Sequence, residues 1–199
     1  MNEKLKIGVL GSGKGSNYQT IQEAINAGKL AAETRIVLSD VEDSGILKLA
    51  RDYGVSAMHV PPGKFKTKME PQIEEQVAQI LKFKGVELLV LAGYMRILKA
   101  PLLKAFPGRI INIHPSLLPK YPGIEAWKQA LAAGEKVTGC TVHYVDDGMD
   151  TGEIIAQREV PVKPGDTAAT LHARIQAAEH ELYPEVIATL AADFVQNRA

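Results

Sequence analysis

Residues 109–119 have the sequence RIINIHPSLLP, and this stretch decides the fold prediction. Asn112 and His114 stand two residues apart in an apolar run typical of a buried strand, so both side chains should leave the same face. The run stops at Pro115, because proline lacks the N–H that continues a strand ladder. Ligands of open α/β sheets bind outside the carboxyl ends of strands, so the pair is predicted at a pocket mouth. The alternative is that both are hydrogen-bonded core residues.

Strand-like and helix-like segments alternate through the residues before this stretch. Leu5 to Leu10 is a compact apolar run, followed by the glycine-rich segment 11–17 and then by apolar residues at helical spacing. Further strands are predicted at 35–38, 56–60 and 87–92, and helices at about 44–53 and 69–83. This alternation predicts right-handed βαβ units in a doubly wound, mostly parallel α/β sheet.

The pattern changes after residue 119. Segments 140–145 and 154–162 are rich in β-branched residues and flank an acidic turn that contains glycine, which predicts an appended antiparallel hairpin. Asp166 and Thr167 then open a long C-terminal helix from about Ala168, and we expect a kink or break near Pro184.

Composition bounds the class of protein. The 199 residues, 46% of them hydrophobic, suit one globular domain. Basic and acidic residues balance at 23 each, which argues against a nucleic-acid or anionic-membrane partner. Cys140 is the only cysteine, so no internal disulfide or cysteine-rich metal site is expected, and a reducing cytoplasm fits. The first apolar run, of about six residues, is too short for a signal peptide or a membrane span.

The segment 11–17, GSGKGSN, predicts a phosphate site, because backbone N–H groups at a helix N-terminus attract anions. It is not a Walker loop, and it misses the dinucleotide fingerprint by one residue, Ser16. Asp40 lies at the end of the second predicted strand, where dinucleotide-binding folds carry the acid that binds ribose. A nicotinamide-dependent or nucleotide-sensing function therefore remains an alternative. The structural alternative is a tight turn capped by Ser16 or Asn17.

Other candidate residues depend on how the chain folds back. The segment 93–98 could pack a flat ring, although core packing is equally compatible with its composition. Asp150 lies in a charged turn that would be merely solvated unless the hairpin returns it to His114. His143 is expected to support or position rather than to catalyse, and Glu179 alone would be interpreted as a solvated helix-face residue.

Four segments together carry a family resemblance: 11–17, 91–98, 112–119 and 141–152. Their order resembles that of the phosphoribosylglycinamide formyltransferases, folate-dependent enzymes of purine synthesis, over essentially the whole chain. The motif Asn-x-His-Pro-Ser-Leu-Leu-Pro is shared with the wider superfamily of 10-formyltetrahydrofolate transferases and hydrolases. The resemblance implies one Rossmann-like formyltransferase domain over 1–199, with a phosphate-binding half at 1–100 and a folate-binding, catalytic half at 101–199.

The resemblance also implies the reaction, which is formyl transfer from 10-formyltetrahydrofolate, a co-substrate, to the amine of glycinamide ribonucleotide. We expect a cytoplasmic protein, either a monomer or a homodimer, whose chemistry needs no metal. Attack on a formyl carbon creates an oxyanion, which Asn112 and protonated His114 would stabilise while Asp150 orients and charges His114 and assists proton transfer. The further expected residues are Gly15, Ser16, Asn17 and Glu179 for the ribonucleotide; Met95, Arg96, Ile97, Leu98, Val145, Asp146, Asp147 and Asp150 for the folate; His143 and Thr141 in support; and an unassigned basic residue near Lys66 or Lys68.

Other functions remain open at this point. A formyltetrahydrofolate hydrolase would use a similar trio on water, and a methionyl-tRNA formyltransferase would use it on a charged tRNA. Both normally carry an additional domain, for which 199 residues leave no room, and the balanced charge argues against tRNA. A nucleotide-binding Rossmann protein would explain only the first forty residues. A catalytically silent relative would be expected to lose one of the trio.

Overall fold

A computed structural model describes residues 4–196, which form a seven-stranded sheet in the order β3-β2-β1-β4-β5-β6-β7. The strands are β1 (Leu5–Leu10), β2 (Ala32–Ser39), β3 (Ala57–His59), β4 (Leu88–Leu91), β5 (Ile110–His114), β6 (Val137–Tyr144) and β7 (Ile154–Pro161). The helices are α1 (Ser16–Asn26), α2 (Gly45–Asp52), α3 (Pro71–Phe83), α4 (Ala100–Ala105), α5 (Ala126–Ala132) and α6 (Ala168–Gln196). Strands β1 to β5 pair in parallel, whereas β6 and β7 pair antiparallel.

This topology confirms the doubly wound, mostly parallel sheet, the hairpin and the long C-terminal helix. The hairpin continues the main sheet, because β6 pairs with β5. The third strand is shorter than predicted, at Ala57–His59. Helices α4 and α5 were not predicted, since six and seven residues hold fewer than two full turns of periodicity.

The sheet separates two apolar cores. One core contains residues of α1, α2 and α6, and the other contains residues of α3 and α4. Ile111 and Ile113 of β5 belong to the first core, and Ile110 belongs to the second. Because side chains alternate along a strand, Asn112 and His114 leave the same face as Ile110, as the sequence predicted.

The expected break at Pro184 is wrong, because α6 runs unbroken from Ala168 to Gln196. Buried side chains on both sides of the proline, such as Tyr183 and Ile187, pack against the sheet. Each buried apolar side chain contributes about 1.5–3 kcal/mol, which together exceeds the roughly 3 kcal/mol that an interior proline costs. The Tyr183 hydroxyl also lies 2.9 Å from the Leu91 carbonyl and 3.2 Å from the Ile111 carbonyl.

Among the helices within residues 4–196, none is both long and apolar enough to cross a membrane. Cys140 is buried and its thiol is free. Residues 1–3 and 197–199 of the predicted domain lie outside the described part of the chain.

Replacing Tyr183 with Phe should lower the free energy of unfolding by about 1–2 kcal/mol, because the carbonyls of Leu91 and Ile111 lose a buried hydroxyl donor. Urea unfolding measures the change. Tyr53→Phe is the matched control, since its hydroxyl makes only an exposed bond to Glu23. Equal effects of the two substitutions would contradict this role of Tyr183.

Candidate active site

The β5–β6 register brings two predicted residues together, because Asn112 lies directly opposite His143. Nδ1 of His143 is 2.8 Å from the Tyr144 carbonyl, which can only accept, so Nδ1 carries the proton. Burial lowers the pKa of His143 and favours its neutral form. Its bare Nε2 therefore accepts from Nδ2 of Asn112, 3.2 Å away. This contact fixes the amide orientation and leaves the second N–H on Nδ2 for a ligand.

His114 lies between two acceptors. Its Nε2 donates to the Tyr121 carbonyl at 2.9 Å, and its Nδ1 lies 3.4 Å from Oδ2 of Asp150. The Asp150 carboxylate is only 14% exposed and also accepts the Gly123 N–H at 2.8 Å. An imidazolium has two N–H groups, and the site offers an acceptor to each. The predicted trio of Asn112, His114 and Asp150 is therefore assembled.

The loop after β5 is held to β6 by a buried threonine. The Thr141 hydroxyl donates to the Ser116 carbonyl at 2.6 Å and accepts the Leu118 N–H at 3.0 Å. The Ser116 hydroxyl in turn donates to the Lys120 carbonyl at 2.6 Å. These hydrogen bonds give the backbone polar groups of the loop partners within the protein, and they fix the path of the chain toward Tyr121.

The acidic turn after β6 folds back over the end of β5. Oδ1 of Asp146 accepts from the Gly148 N–H and from the Thr151 hydroxyl, which closes the turn. A Cβ atom on Gly152 would lie 1.8 Å from the Tyr144 carbonyl, so only glycine fits there. A cavity of about 220 Å³ opens beside Asp150 in this turn.

The phosphate-site prediction rests on the start of α1. Gly15 is the residue before the helix, with φ of 84°, and no side chain caps this end. The alternative of a cap from Ser16 or Asn17 is therefore wrong. A Cβ on Gly15 would lie 2.8 Å from Cα of Ile46, so the close approach of α2 requires glycine. Without a cap, the first N–H groups of α1 are available to an anion.

Glu179 is not solvated, which corrects the isolated interpretation of its sequence position. Its side chain lies beside α1, where Oε2 accepts from Nδ2 of Asn17 at 2.9 Å. Burial raises the pKa of Glu179 to about 7. Oδ1 of Asn17 is buried without a hydrogen-bond partner. Tyr183, one turn further along α6, contacts the carbonyl of Leu91, the last residue of β4, so α6 is held against the sheet beside this cluster.

Arg96 and Asp40 form a structural ion pair. Nε of Arg96 lies 2.6 Å from Oδ2 of Asp40, and the guanidinium also donates to the carbonyls of Phe65 and Lys66. Asp40 further accepts the Ser12 hydroxyl at 2.5 Å and is 5% exposed. The acid that supported a nicotinamide or nucleotide-sensing function is therefore already engaged.

The two segments expected to hold folate meet each other. Val145 packs against the apolar cluster that contains Leu98, and Nζ of Lys99 reaches the Asp147 carbonyl at 3.4 Å. Met95 is 68% exposed, whereas Leu98 is 2% exposed and belongs to the core. Ile97 is partly buried, and its N–H donates to the Thr67 carbonyl at 2.9 Å.

The basic residues near this segment do not contact the trio through any hydrogen bond in the described structure. Lys66 contributes its carbonyl to Arg96. Nζ of Lys68 lies 4.9 Å from the ring centroid of Phe65. Neither is thereby assigned to a ligand.

Comparison with known families gives a match over residues 5–187 to the family model described as formyl transferase. The chain belongs to the formyl transferase family. It is 41% identical over 185 residues to the phosphoribosylglycinamide formyltransferase of Bacillus subtilis, covering 93% of this chain and 94% of that protein. It is 46% identical to the trifunctional purine biosynthetic protein adenosine-3 of Drosophila pseudoobscura pseudoobscura, but spans 14% of that protein's length.

Solved structures of this family have the same fold. The crystal structure of glycinamide ribonucleotide transformylase 1 from Symbiobacterium toebii matches with a TM-score of 0.92 and 46% identity, covering 97% of this chain and 90% of that chain. Phosphoribosylglycinamide formyltransferase from Bacillus halodurans matches with a TM-score of 0.88 and 41% identity, covering 93% of this chain and 94% of that chain. The doubly wound sheet with its long last helix is thus the formyltransferase fold.

Two residues of the site escaped the sequence analysis. Tyr121 contributes its carbonyl to His114, and Gly123 contributes its N–H to Asp150. The only local signal was the Pro-Gly turn at 122–123, since backbone groups leave no trace in residue type. Within residues 4–196, no group of three or more His, Cys, Asp or Glu could hold a metal ion.

The Glu179→Gln variant should be more stable than the wild type at pH 8, by about 1–3 kcal/mol, and should lose this advantage near pH 4.5. The carboxyl is protonated in both states below the unfolded pKa of 4.5, and burial of the charge penalises the folded state as pH rises to about 7. Urea unfolding between these pH values measures the gap.

Glu181→Gln is the control on the same helix, because Glu181 is 71% exposed. A stability gap for Glu179→Gln that stays constant with pH, or that Glu181→Gln reproduces, would contradict this account of the burial of Glu179.

Proposed function

We propose that the chain transfers the formyl group of 10-formyltetrahydrofolate to the amine of glycinamide ribonucleotide. The products are formylglycinamide ribonucleotide and tetrahydrofolate, in de novo purine synthesis. The observation that carries the proposal is the assembly of Asn112, His114 and Asp150 at the mouth of β5. The near full-length similarity to the Bacillus subtilis protein supports the choice of acceptor.

The first step is attack of the neutral amine on the formyl carbon. This forms a C–N bond and turns the formyl oxygen into an oxyanion on a tetrahedral carbon. Asn112 donates its remaining Nδ2–H to that oxygen, and the His114 imidazolium supplies positive charge beside it. Asp150 and the Tyr121 carbonyl hold the imidazolium in place. Such donors are preorganised, so they need no rearrangement as the charge develops.

The second step moves a proton. The attacking nitrogen has become an ammonium, and its proton must reach the folate nitrogen that leaves as the C–N bond to the formyl carbon breaks. Asp150 is only 14% exposed and lies beside His114, where it assists this transfer through water. The intermediate then collapses to the formamide and tetrahydrofolate.

The ribonucleotide fits the uncapped start of α1. The N–H groups of Ser16 and Asn17, with Gly15 before them, bind the phosphate. Glu179 and the unpartnered Oδ1 of Asn17 provide acceptors for the N–H groups of the glycinamide end. With a pKa of about 7, Glu179 becomes ionised over the range where such a contact is useful.

We place the folate along the two segments that meet where Val145 packs against the cluster of Leu98. The expected contacts are Met95, Arg96, Ile97, Leu98, Val145, Asp146, Asp147 and Asp150. Arg96 acts there mainly by holding the segment in place, because its guanidinium is already bound to Asp40. Met95 and Met149, one from each segment, are both exposed.

We place the protein in the cytoplasm as a monomer or homodimer with no nucleic-acid or membrane partner. The balanced charge and the free thiol of buried Cys140 support this placement. The phosphate-binding half would be residues 1–100, and the catalytic half 101–199. One sheet runs through both halves, so we expect them to unfold together.

Asp150→Asn should lower the turnover by a factor on the order of 10² or more, because His114 loses a charged acceptor and the proton route loses its carboxylate. The measurement is the spectrophotometric loss of 10-formylfolate with and without glycinamide ribonucleotide. Asp52→Asn is the matched control, since Asp52 forms an exposed i,i+4 ion pair with Lys48 on α2.

The expected result is wild-type turnover that depends on the ribonucleotide, collapses in Asp150→Asn and persists in Asp52→Asn. Equal formyl loss without the ribonucleotide would identify a hydrolase instead. No loss under any condition would overturn the proposed transfer.

A further inference from the structure

The carbonyl that accepts the hydrogen bond from His114 belongs to Tyr121, a residue with an unusual backbone conformation. Tyr121 has φ of 56°, in the left-handed region that non-glycine residues seldom adopt. This conformation turns its carbonyl toward Nε2 of His114, at 2.9 Å. A conformation of this kind persists only where its surroundings hold it.

The contact that holds the Tyr121 backbone in this conformation is made by its side-chain hydroxyl. The Tyr121 hydroxyl donates to Oε1 of Glu135 at 2.8 Å. The same oxygen accepts Nζ of Lys120 at 2.8 Å, so one carboxylate binds the side chains of two consecutive loop residues. These hydrogen bonds lower the pKa of Glu135, which favours the ionised acceptor.

Glu135 is itself anchored by the end of α5. Its N–H donates to the Ala130 carbonyl at 3.2 Å, and Gly134, with φ of 70°, closes the helix before it. The Gly134 N–H donates to the Leu131 carbonyl at 3.1 Å. The carboxylate therefore extends from a fixed helix terminus, whereas the loop 115–121 has no regular secondary structure.

Glu135 does not line the catalytic space. It borders a separate groove of about 580 Å³ together with Lys120, Tyr121 and Glu159, and Asp150 is not among the residues that line this groove. Any effect of Glu135 on the reaction therefore passes through the two loop residues that it binds, Lys120 and Tyr121, and only Tyr121 contacts His114.

We propose that Glu135 is a positioning residue for formyl transfer, acting through the Tyr121 hydroxyl to keep the Tyr121 carbonyl on Nε2 of His114. The inference rests on the proposed function of the same site. It assigns the imidazole a second support, from a helix terminus outside the pocket, in addition to Asp150.

The test compares Tyr121→Phe, Glu135→Ala and Glu135→Gln with the wild type. Tyr121→Phe removes one oxygen atom and keeps the ring, so the fold is preserved. Both Tyr121→Phe and Glu135→Ala should lower kcat by roughly tenfold, because small misplacements of catalytic groups are costly, and should leave KM for both substrates within about twofold. Glu135→Gln keeps an acceptor for the hydroxyl and should retain most of the wild-type kcat.

Coupling between the variants separates positioning from general stability. The double variant Tyr121→Phe/Glu135→Ala should be no slower than Tyr121→Phe alone, because each substitution breaks the same hydrogen bond between Tyr121 and Glu135. Lys120→Met removes only the ion pair, and a loss as large as that of Glu135→Ala would overturn the tyrosine link.

A measurement that does not depend on enzyme activity distinguishes failure of the role of Glu135 from failure of the proposed function. The Nε2–H proton of His114 should give a protected downfield resonance in proton NMR, assigned by its absence in His114→Asn. It should persist in Glu135→Gln and exchange with solvent in Tyr121→Phe. Absence of wild-type formyl transfer with this pattern intact would overturn the proposed function alone. Wild-type kcat and an unchanged resonance in Tyr121→Phe and Glu135→Ala would overturn the role of Glu135 alone.

Discussion

The antiparallel register of β5 and β6 places Asn112 opposite His143, and His114 opposite Thr141. These two pairs position the side chains and the loop at the end of β5. The first pair orients an amide, because a buried neutral imidazole offers it a lone pair. The second ties the loop after β5 to β6 through the threonine hydroxyl. Since side chains alternate along a strand, a slip of β6 by one residue would send His143 and Thr141 to the face opposite Asn112 and His114. The register therefore sets the chemistry that the site can perform.

A second set of contacts connects the ligand cluster on α1 and α6 to this strand pair. Tyr183 fixes α6 to the carbonyls of Leu91 in β4 and Ile111 in β5, and Glu179 stands one turn earlier on the same helix face. Burying that carboxylate is unfavourable when it is charged, and its raised pKa records the cost. A stable α6 can carry this cost because the helix packs along most of its length on one apolar core. At Glu179 the buried carboxylate lowers the stability of the fold but supplies a polar group to the site. Such a conflict is common where a ligand must be bound.

Local patterns were sufficient for much of this structure. The period of two around Asn112 and the stop at Pro115 predicted a strand end with two polar side chains on one face. The sequence at 11–17 predicted backbone N–H groups for an anion at a helix start, whereas the placement of Asp150 beside His114 was implied by the family resemblance and not by the local pattern of the acidic turn. The misses are contacts between distant residues. Arg96 reaches Asp40 across 56 positions, and burial of Glu179 depends on how α6 lies on α1. The acceptor at Tyr121 is a backbone atom, so residue type gives no signal for it.

The most direct test of the account follows the formyl carbon itself. The wild-type protein is mixed with 10-formyltetrahydrofolate labelled with ¹³C in the formyl group, in the presence of glycinamide ribonucleotide, and carbon NMR records where the label goes. The account predicts that each tetrahydrofolate released is matched by one labelled formamide carbon on the ribonucleotide, with no labelled formate. Label that accumulates as formate, or that stays on the folate while the ribonucleotide is unchanged, would contradict it.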